Sequence, residues 1–443
     1  MLPKVIDLFS GCGGLALGFE KVGFDIVAGI ELKDDAINTI SYNLAWRYGK
    51  EQTHLCYDIT KMQGDIFKDK IGKEGCIVIG GPPCQAYSIV GRGKLRSLGE
   101  HRVNINDNRG YLYQDFIRFV LAMKARAVVM ENVPESTNFG KVNIPQVVCE
   151  ELEKNDYKAY WTILNAADFG TPQVRERVFV FGVRNDENVD IKLPLPTHRA
   201  SSGNLTMYQR RFETFKKFSN FRVPNKSCDR NELWITVGEA LSDLPTLFIN
   251  EFSEYKSRPL NIELPYKTQI ENNFQYIMRN WYGKSNKKVS GNAFRKNTRD
   301  FPIFSRMKQG DNYIDASRIA DQMLLCEAKL YNYEKDSKEY KLLKRKMVPQ
   351  YDREKFENKW KRLDANKPSH TVVAHLEKDT YSHIHPWEPR GISVREAARL
   401  QSFPDDFVFN CSMSNAFRQI GNAVPPLLSL AVAKTIYDSF KEE

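Results

Sequence analysis

Val5-Ile6-Asp7-Leu8-Phe9-Ser10-Gly11-Cys12-Gly13-Gly14-Leu15-Ala16-Leu17 opens the chain with the pattern that decides its fold class. Val5–Leu8 is a short apolar run with β-branched residues, which predicts a strand. Ser10–Gly14 is a glycine turn, and Leu15–Lys21 begins a helix. Strand, glycine turn and helix form the unit that cradles nucleotides. The glycines let backbone approach the ligand, and the helix N-terminus offers free N–H groups. Gly11-x-Gly13-x-x-Ala16 also fits the dinucleotide fingerprint, a triplet that recurs in plain tight turns. Val27–Ile30 predicts a second strand ending in Glu31, about 20 residues beyond the turn, where a carboxylate takes two ribose hydroxyls or merely caps a helix. Asp58-Ile59 comes after a third short strand. Asp58 there accepts from an adenine amine or is a solvated loop aspartate.

A second stretch, Ile77-Val78-Ile79-Gly80-Gly81-Pro82-Pro83-Cys84-Gln85-Ala86-Tyr87-Ser88, repeats the theme. Cys76–Ile79 predicts a buried strand, two glycines end it, and two prolines stiffen the backbone leading to Cys84. Cys84 is thereby placed just past a strand end, where open α/β sheets bind ligands. Most cysteines are buried structural thiols, so this one gains a role only through its frame and partners. Ile89–Asn108 is a long glycine-hinged basic segment with Arg92, Lys94, Arg96, His101 and Arg102, and reads as a lid over a polyanion. Arg109 and Gly110 precede a helix with an apolar face (Leu112, Phe116, Phe119, Val120). Ala127–Met130 is another buried strand, delivering Glu131-Asn132-Val133-Pro134 at its end. Pro145–Glu153 is helical. Tyr160–Leu164 and Val178–Val183 predict a strand pair. Alternation in Gln173-Val174-Arg175-Glu176-Arg177 puts Gln173, Arg175 and Arg177 on one face of a strand, a set suited to a phosphate or base edge, or to a surface Arg–Glu pair.

The chain has 443 residues and 42% hydrophobic content, enough for two domains with sizeable cores. No apolar stretch reaches membrane-span length, and the start lacks a signal-peptide pattern, so a cytoplasmic protein is expected. Eight cysteines at irregular spacing, without Cys-x-x-Cys, fit a reducing compartment rather than a disulfide framework. Residues 1–190 hold 23 Lys+Arg against 25 Asp+Glu, and the remainder 42 against 30. The basic second part suits a polyanionic partner or is simply a soluble surface. Pro194-Leu195-Pro196 reads as a linker. Residues 197 to about 390 are polar and rich in Lys, Arg, Asn and Tyr, and Leu324–Lys346 reads as one charged helix. His370, His375, His383 and His385 fit no zinc spacing, so no metal is expected. Ser393-x-x-Glu396 is a capping box opening the helix Val394–Gln401. Leu427–Phe440 is an apolar helix that must dock on a core, that of the first domain.

Taken together, the motifs resemble those of the DNA cytosine-5 methyltransferases. In order they are Asp7–Gly14, Gly81-Pro82-Pro83-Cys84-Gln85, Glu131-Asn132-Val133, Gln173-x-Arg175-x-Arg177, Arg399-Leu400-Gln401-Ser402-Phe403-Pro404 and Gln419-Ile420-Gly421-Asn422-Ala423-Val424-Pro425. The match covers residues 1–190 and about 365–443. Tyr57 stands where the family usually has glycine, and Tyr87 where phenylalanine is usual. The resemblance implies a Rossmann-like α/β S-adenosylmethionine-dependent domain (1–190 with 412–443), a smaller target-recognition domain (191–411) and a cleft between them. It implies S-adenosyl-L-methionine as cofactor, held by Phe9, Ser10, Gly11, Cys12, Gly13, Gly14, Glu31, Leu32, Asp58, Ile59, Pro83, Leu112, Asn422 and Ala423. Double-stranded DNA is the implied partner, with contacts from Gln85, Ser88, Arg92, Arg109 and Gln173. It further implies a monomer serving a restriction-modification system, whose endonuclease acts separately.

The implied chemistry is dictated by cytosine itself. Carbon 5 is a poor nucleophile until a thiolate adds at carbon 6, which is the role for Cys84. Charge then reaches N3, where a protonated Glu131 hydrogen-bonds. By the resemblance Arg177 reaches the carbonyl at position 2, Arg175 supports the loop and phosphate, and Asn132 helps fix the site. Carbon 6 is inaccessible in a stacked duplex, so the base is flipped out. Three rival readings share some features. A nicotinamide oxidoreductase shares the glycine turn but needs no Pro-Pro-Cys-Gln. A non-catalytic DNA-binding relative predicts a damaged nucleophile or acid. A tRNA methyltransferase of the same family uses the same motifs with a smaller recognition region.

Overall fold

One sheet carries the first half of the chain, built from β1 (Lys4–Leu8), β2 (Ile26–Glu31), β3 (His54–Cys56), β4 (Cys76–Gly80), β5 (Ala127–Asn132), β6 (Tyr157–Asn165) and β7 (Glu176–Arg184). Its order is β3-β2-β1-β4-β5-β7-β6. The first five strands run parallel, while β7 runs antiparallel to β5 and β6 antiparallel to β7. The order reverses between β1 and β4, and in such sheets the crevice at the carboxyl ends of the strands beside that reversal is the ligand position. Parallel strands buried on both faces read as continuous apolar runs, and β4 and β5 are buried throughout. The computed structural model describes residues 2–83, 111–201, 206, 209–228, 230–248, 259–283, 285, 287–296, 299–335, 337–349 and 359–441.

Helices α1 (Gly14–Val22), α2 (Asp34–Leu44), α3 (Leu112–Ala122) and α4 (Ile144–Glu153) connect the strands. Core clusters lie on both faces of the sheet. One gathers Phe116, Phe119 and Val120 of α3 with Val148 and Leu152 of α4 over Ile6, Val78 and Val128. The other gathers Phe19 of α1 with Leu428, Val432, Ala433 and Ile436 over Ile77, Ile79 and Val129. Those four C-terminal residues belong to the helix Pro426–Lys441. That helix docks on the first core, as its apolar composition required. Its Ser429 hydroxyl donates to the Leu15 carbonyl, and a side chain at Gly18 would collide with Ser429 and the Leu430 backbone.

The chain divides into two compact units, Met1–Trp234 with Ala423–Glu443, and Ile235–Asn422. These boundaries differ from 190/191 and 411/412, and the packing beside β6 gives the reason. The Trp161 amide donates to the Asn220 carbonyl at 2.8 Å, and the Arg222 amide donates to the Trp161 carbonyl at 2.9 Å. Phe215 and Phe221 pack on the Trp161 ring at 5.4 and 4.7 Å. The stretch after Pro194-Leu195-Pro196 therefore extends the first core instead of leaving it.

The second unit holds α5 (Val237–Leu241), α6 (Asn273–Arg279), α7 (Tyr313–Leu330), α8 (Lys338–Met347), α9 (Val394–Leu400) and α10 (Met413–Asn422). The expected single helix Leu324–Lys346 is two helices. Asn332 takes a left-handed φ of 53° after α7, a conformation asparagine tolerates, and Ser337 accepts from the Tyr340 amide to start α8. The Ser393–Glu396 capping box is present at α9. Arg399, fully buried, donates to Asp243 (2.9 Å) and Asp405 (2.5 Å). Arg279 shares Asp243 at 2.9 Å, and the Tyr266 hydroxyl donates to Asp405 at 2.6 Å. Buried charges persist when paired in this way.

The rings of His370 and His383 lie against each other at 4.1 Å, tilted by 31°, in the same unit. Burial pulls His370 and His385 down to about 4 and holds His383 well below the usual 6.5. Below pH 6.5 the unfolded chain takes up protons that the folded chain refuses until about pH 4, so stability falls with acidification across that window. Each such histidine contributes up to roughly 1.4 kcal/mol per pH unit. The urea midpoint of the whole chain is expected to drop between pH 7 and pH 5, and His370→Asn to flatten the dependence. A midpoint constant over that range refutes the assignment.

Candidate active site

Strand register aligns the site. Ile30, Leu8, Gly80 and Met130 lie abreast on β2, β1, β4 and β5. The next residues in each strand direction are Glu31, Phe9, Gly81 and Glu131. Two expected clusters, one around Glu31 and one around Glu131, therefore share one sheet edge, roughly 14 Å apart at three strand spacings.

The first cluster is organised by Glu31. One carboxylate oxygen accepts from the Gly11 amide at 2.9 Å, and the other accepts from the Leu32 and Lys33 amides at 2.8 and 3.0 Å. Burial raises its carboxyl above the ordinary range against these donors. Phe9 and Gly11 take positive φ values of 58° and 54°, and Gly13, at 91°, caps α1. Ser10 donates its hydroxyl to the Asp7 carbonyl at 2.8 Å, and Cys12 is buried. A Cβ on Gly11 would meet nothing within 4 Å, so the turn keeps open space beside it. Leu32, which follows Glu31, is 59% exposed, and so is Tyr57 at 51%, whose amide donates to the Glu31 carbonyl. An open cradle, a fixed carboxylate and uncovered apolar side chains fit an adenosyl group. Asp58 caps the turn Ile59–Lys61 by accepting from the Thr60 amide at 3.1 Å, and Ile59 is buried. Leu112 opens α3 and packs against the core.

Two residues here escaped sequence reading. Arg118, on α3, donates to the Met62 and Ile59 carbonyls at 2.6 and 2.9 Å, tying the Asp58–Ile59 turn to the helix that begins at Leu112. His54, on β3, lies 3.9 Å from Asp7, both almost wholly buried. Neither sits in a motif. The only sequence signal was a cation, Arg118, among the apolar residues of α3.

The second cluster is organised by Glu131. Its carboxylate pairs with Arg177 at 2.9 Å, a diagonal contact across the β5–β7 pair. Burial raises the Glu131 carboxyl above the ordinary range, opposed by Arg177 and Arg175. A Cβ on Gly81 would lie 2.8 Å from the Glu131 carboxylate, so only glycine leaves room there. The Asn132 amide donates to the Pro82 carbonyl at 3.3 Å, holding the segment that leads through Pro83 to Cys84. Arg175 is fully buried and donates to the Ala423 carbonyl at 3.0 Å. Asn422 is exposed. The expectation of one strand carrying Gln173, Arg175 and Arg177 is corrected: β7 begins at Glu176, so only Arg177 lies in it. Gln173 and Arg175 belong to a loop closed by Asn165, which accepts from the Ala167 and Arg175 amides at 3.3 and 3.2 Å. Both are buried, which excludes the surface Arg–Glu pair for Arg175. Cys84, Gln85, Ser88, Arg92, Arg109 and the lid Ile89–Asn108 lie outside the described residues. Among the described residues no group of three His, Cys, Asp or Glu is placed to hold a metal, and no helix is long and apolar enough to cross a membrane.

A family model for C-5 cytosine-specific DNA methylases matches residues 3–438, so the chain belongs to that family and is a DNA (cytosine-5-)-methyltransferase. Among relatives it is similar to M.OihORF3336P of Oceanobacillus iheyensis, 50% identical over 98% of this chain and 95% of that protein. It is also similar to the type II methyltransferase M.AgeI of Thalassovita gelatinovora, 31% identical over 98% of this chain and 99% of that one. The crystal structure of a prophage-encoded E. coli protein shares the fold, with a TM-score of 0.64 at 24% identity over 100% of both chains.

Proposed function

We propose that the chain methylates carbon 5 of a cytosine flipped out of duplex DNA, with S-adenosyl-L-methionine as donor and Cys84 as covalent nucleophile. The observation that carries this reading is the buried Glu131–Arg177 pair at 2.9 Å, beside the Pro82–Pro83 segment that leads to Cys84. Phe9–Gly14, Glu31, Leu32, Asp58, Ile59, Pro83, Leu112, Asn422 and Ala423 are the residues assigned to the cofactor, which supplies an electrophilic methyl group for carbon 5. The Cys84 thiolate adds to carbon 6, and the displaced electron pair moves toward N3. Glu131, its carboxyl pushed toward the protonated form by burial, hydrogen-bonds N3 and takes up that charge. Arg177 orients Glu131 and meets the position-2 carbonyl with its guanidinium. Loss of the carbon-5 proton to water and expulsion of Cys84 restore the aromatic ring. The lid Ile89–Asn108, with Arg92 and Arg109, closes over the extruded nucleotide, and the region 191–411 reads the flanking bases. The enzyme acts as a cytoplasmic monomer, guarding DNA from a separate restriction endonuclease, in keeping with the type II relatives.

The test is incubation with unmethylated duplex DNA and methyl-labelled cofactor, then bisulfite sequencing. The expected result is 5-methylcytosine confined to one short sequence. Label entering tRNA and not duplex DNA overturns the DNA assignment.

A further inference from the structure

We infer that α8 seats on the phosphate backbone of duplex DNA, an interaction surface of the second unit that rests on the DNA-methyltransferase reading. The helix reads Lys338-Glu339-Tyr340-Lys341-Leu342-Leu343-Lys344-Arg345-Lys346-Met347, with five cations and one carboxylate. At 100° per residue, Tyr340, Leu343 and Met347 share one face, and these are the half-buried residues. Lys338, Lys341 and Arg345 form a stripe on the opposite face, flanked by Lys344 and Lys346, and all five are exposed. The helix packs beside α7.

Two ordinary explanations for such a run fall short. Surface cations are commonly neutralised locally, as Lys154, Lys216 and Lys367 are by carboxylates three residues earlier. Among the described residues, none of the five cations of α8 has a carboxylate within 4.0 Å. Basic residues in a last helical turn also complement the helix dipole, which accounts for Lys344, Arg345 and Lys346. It does not account for Lys338 and Lys341, which sit in the first turn, where a cation is unfavourable. Like charges at i,i+3 and i,i+4 add repulsion of a few tenths of a kcal/mol each. A polyanion laid along the helix removes both penalties. Lys338 to Lys346 spans about 12 Å, the length of three to four base steps along a strand. The chemistry that fits is a row of evenly spaced phosphates, and since the family acts on duplex DNA, that duplex is the occupant.

The experiment uses the full chain and measures Kd for a duplex of about 30 base pairs, with and without the methylated sequence, between about 50 and 200 mM salt. The variant Lys338→Gln/Lys341→Gln/Arg345→Gln keeps the packing face and the helix propensity. A control, Lys70→Gln/Lys158→Gln/Lys434→Gln, removes the same charge from the first unit. In the α8 variant the slope of log K against log salt is expected to shrink by roughly 2 to 3, equally for both duplexes. Lys338→Arg/Lys341→Arg keeps the parent slope. Circular dichroism and the urea midpoint confirm that the variant folds. An unchanged slope overturns the inference. So does an equal loss in the control, or weakened binding to tRNA with duplex binding intact. If the parent chain itself neither binds nor methylates duplex DNA, the methyltransferase reading fails first, which is a separate result.

Discussion

Cys84→Ser is expected to lower methyl transfer by roughly 10⁴-fold or more, while S-adenosylmethionine affinity changes little. The sulfur is asked both to attack carbon 6 and to leave again. Thiols ionise far more readily than hydroxyls, so a cysteine supplies thiolate at neutral pH where a serine supplies almost no alkoxide. Most residues assigned to the cofactor gather around the Phe9–Gly14 turn and Glu31, which is held by the Gly11, Leu32 and Lys33 amides, so a change of one side-chain atom at position 84 leaves that turn in place. Single-turnover transfer to duplex DNA, measured beside cofactor binding by calorimetry, separates the two. Near-parent turnover in the serine variant rules out the covalent route.

Glu131→Gln should cost about 10²- to 10⁴-fold in kcat, the range of a positioned proton donor. Glutamine keeps the size and donates through its amide NH2 where the protonated carboxyl donates through O–H, but it has no acidic proton to share with N3. It also leaves Arg177 facing a neutral amide in place of its 2.9 Å carboxylate partner. The pH profile provides a second readout. Because burial holds the Glu131 carboxyl above its ordinary range, the parent's protonated fraction declines as pH rises through that raised value, and activity with it. The glutamine variant has no such limb. A loss under tenfold, with the alkaline limb intact, removes Glu131 from the proton-handling role.

Much of the first unit was legible in the chain. The strand–glycine–helix start, the carboxylates at 31 and 131 and the apolar C-terminal helix are local signals, and parallel pairing turned them into one row at the sheet edge. The Gly81 position was legible only as a strand terminator. That its missing side chain makes room for the Glu131 carboxylate required the β4–β5 register. Three features were not legible because their cause is distant in sequence. Residues 212–222 belong to the first core through Trp161, which nothing in their polar and aromatic composition announces. Arg175 looked like part of a strand because of its alternation with Gln173 and Arg177, whereas Asn165, ten residues earlier, bends that segment into a loop. Arg399 was read as part of a motif, yet its partner Asp243 lies 156 residues away.

The packing of Pro426–Lys441 against α1 has a consequence for biosynthesis. The half of the first core that needs Leu428, Val432 and Ile436 cannot close until the whole second unit, Ile235–Asn422, has been translated. At about 5 to 20 residues per second, the roughly 400 residues between Phe19 and Pro426 leave Phe19 and its neighbours without their cover for roughly 20 to 80 s. On the ribosome this protein is thus an unfinished sandwich for most of its emergence, a natural client for holdase chaperones. A premature stop anywhere before residue 426 would release that exposed surface instead of a working half.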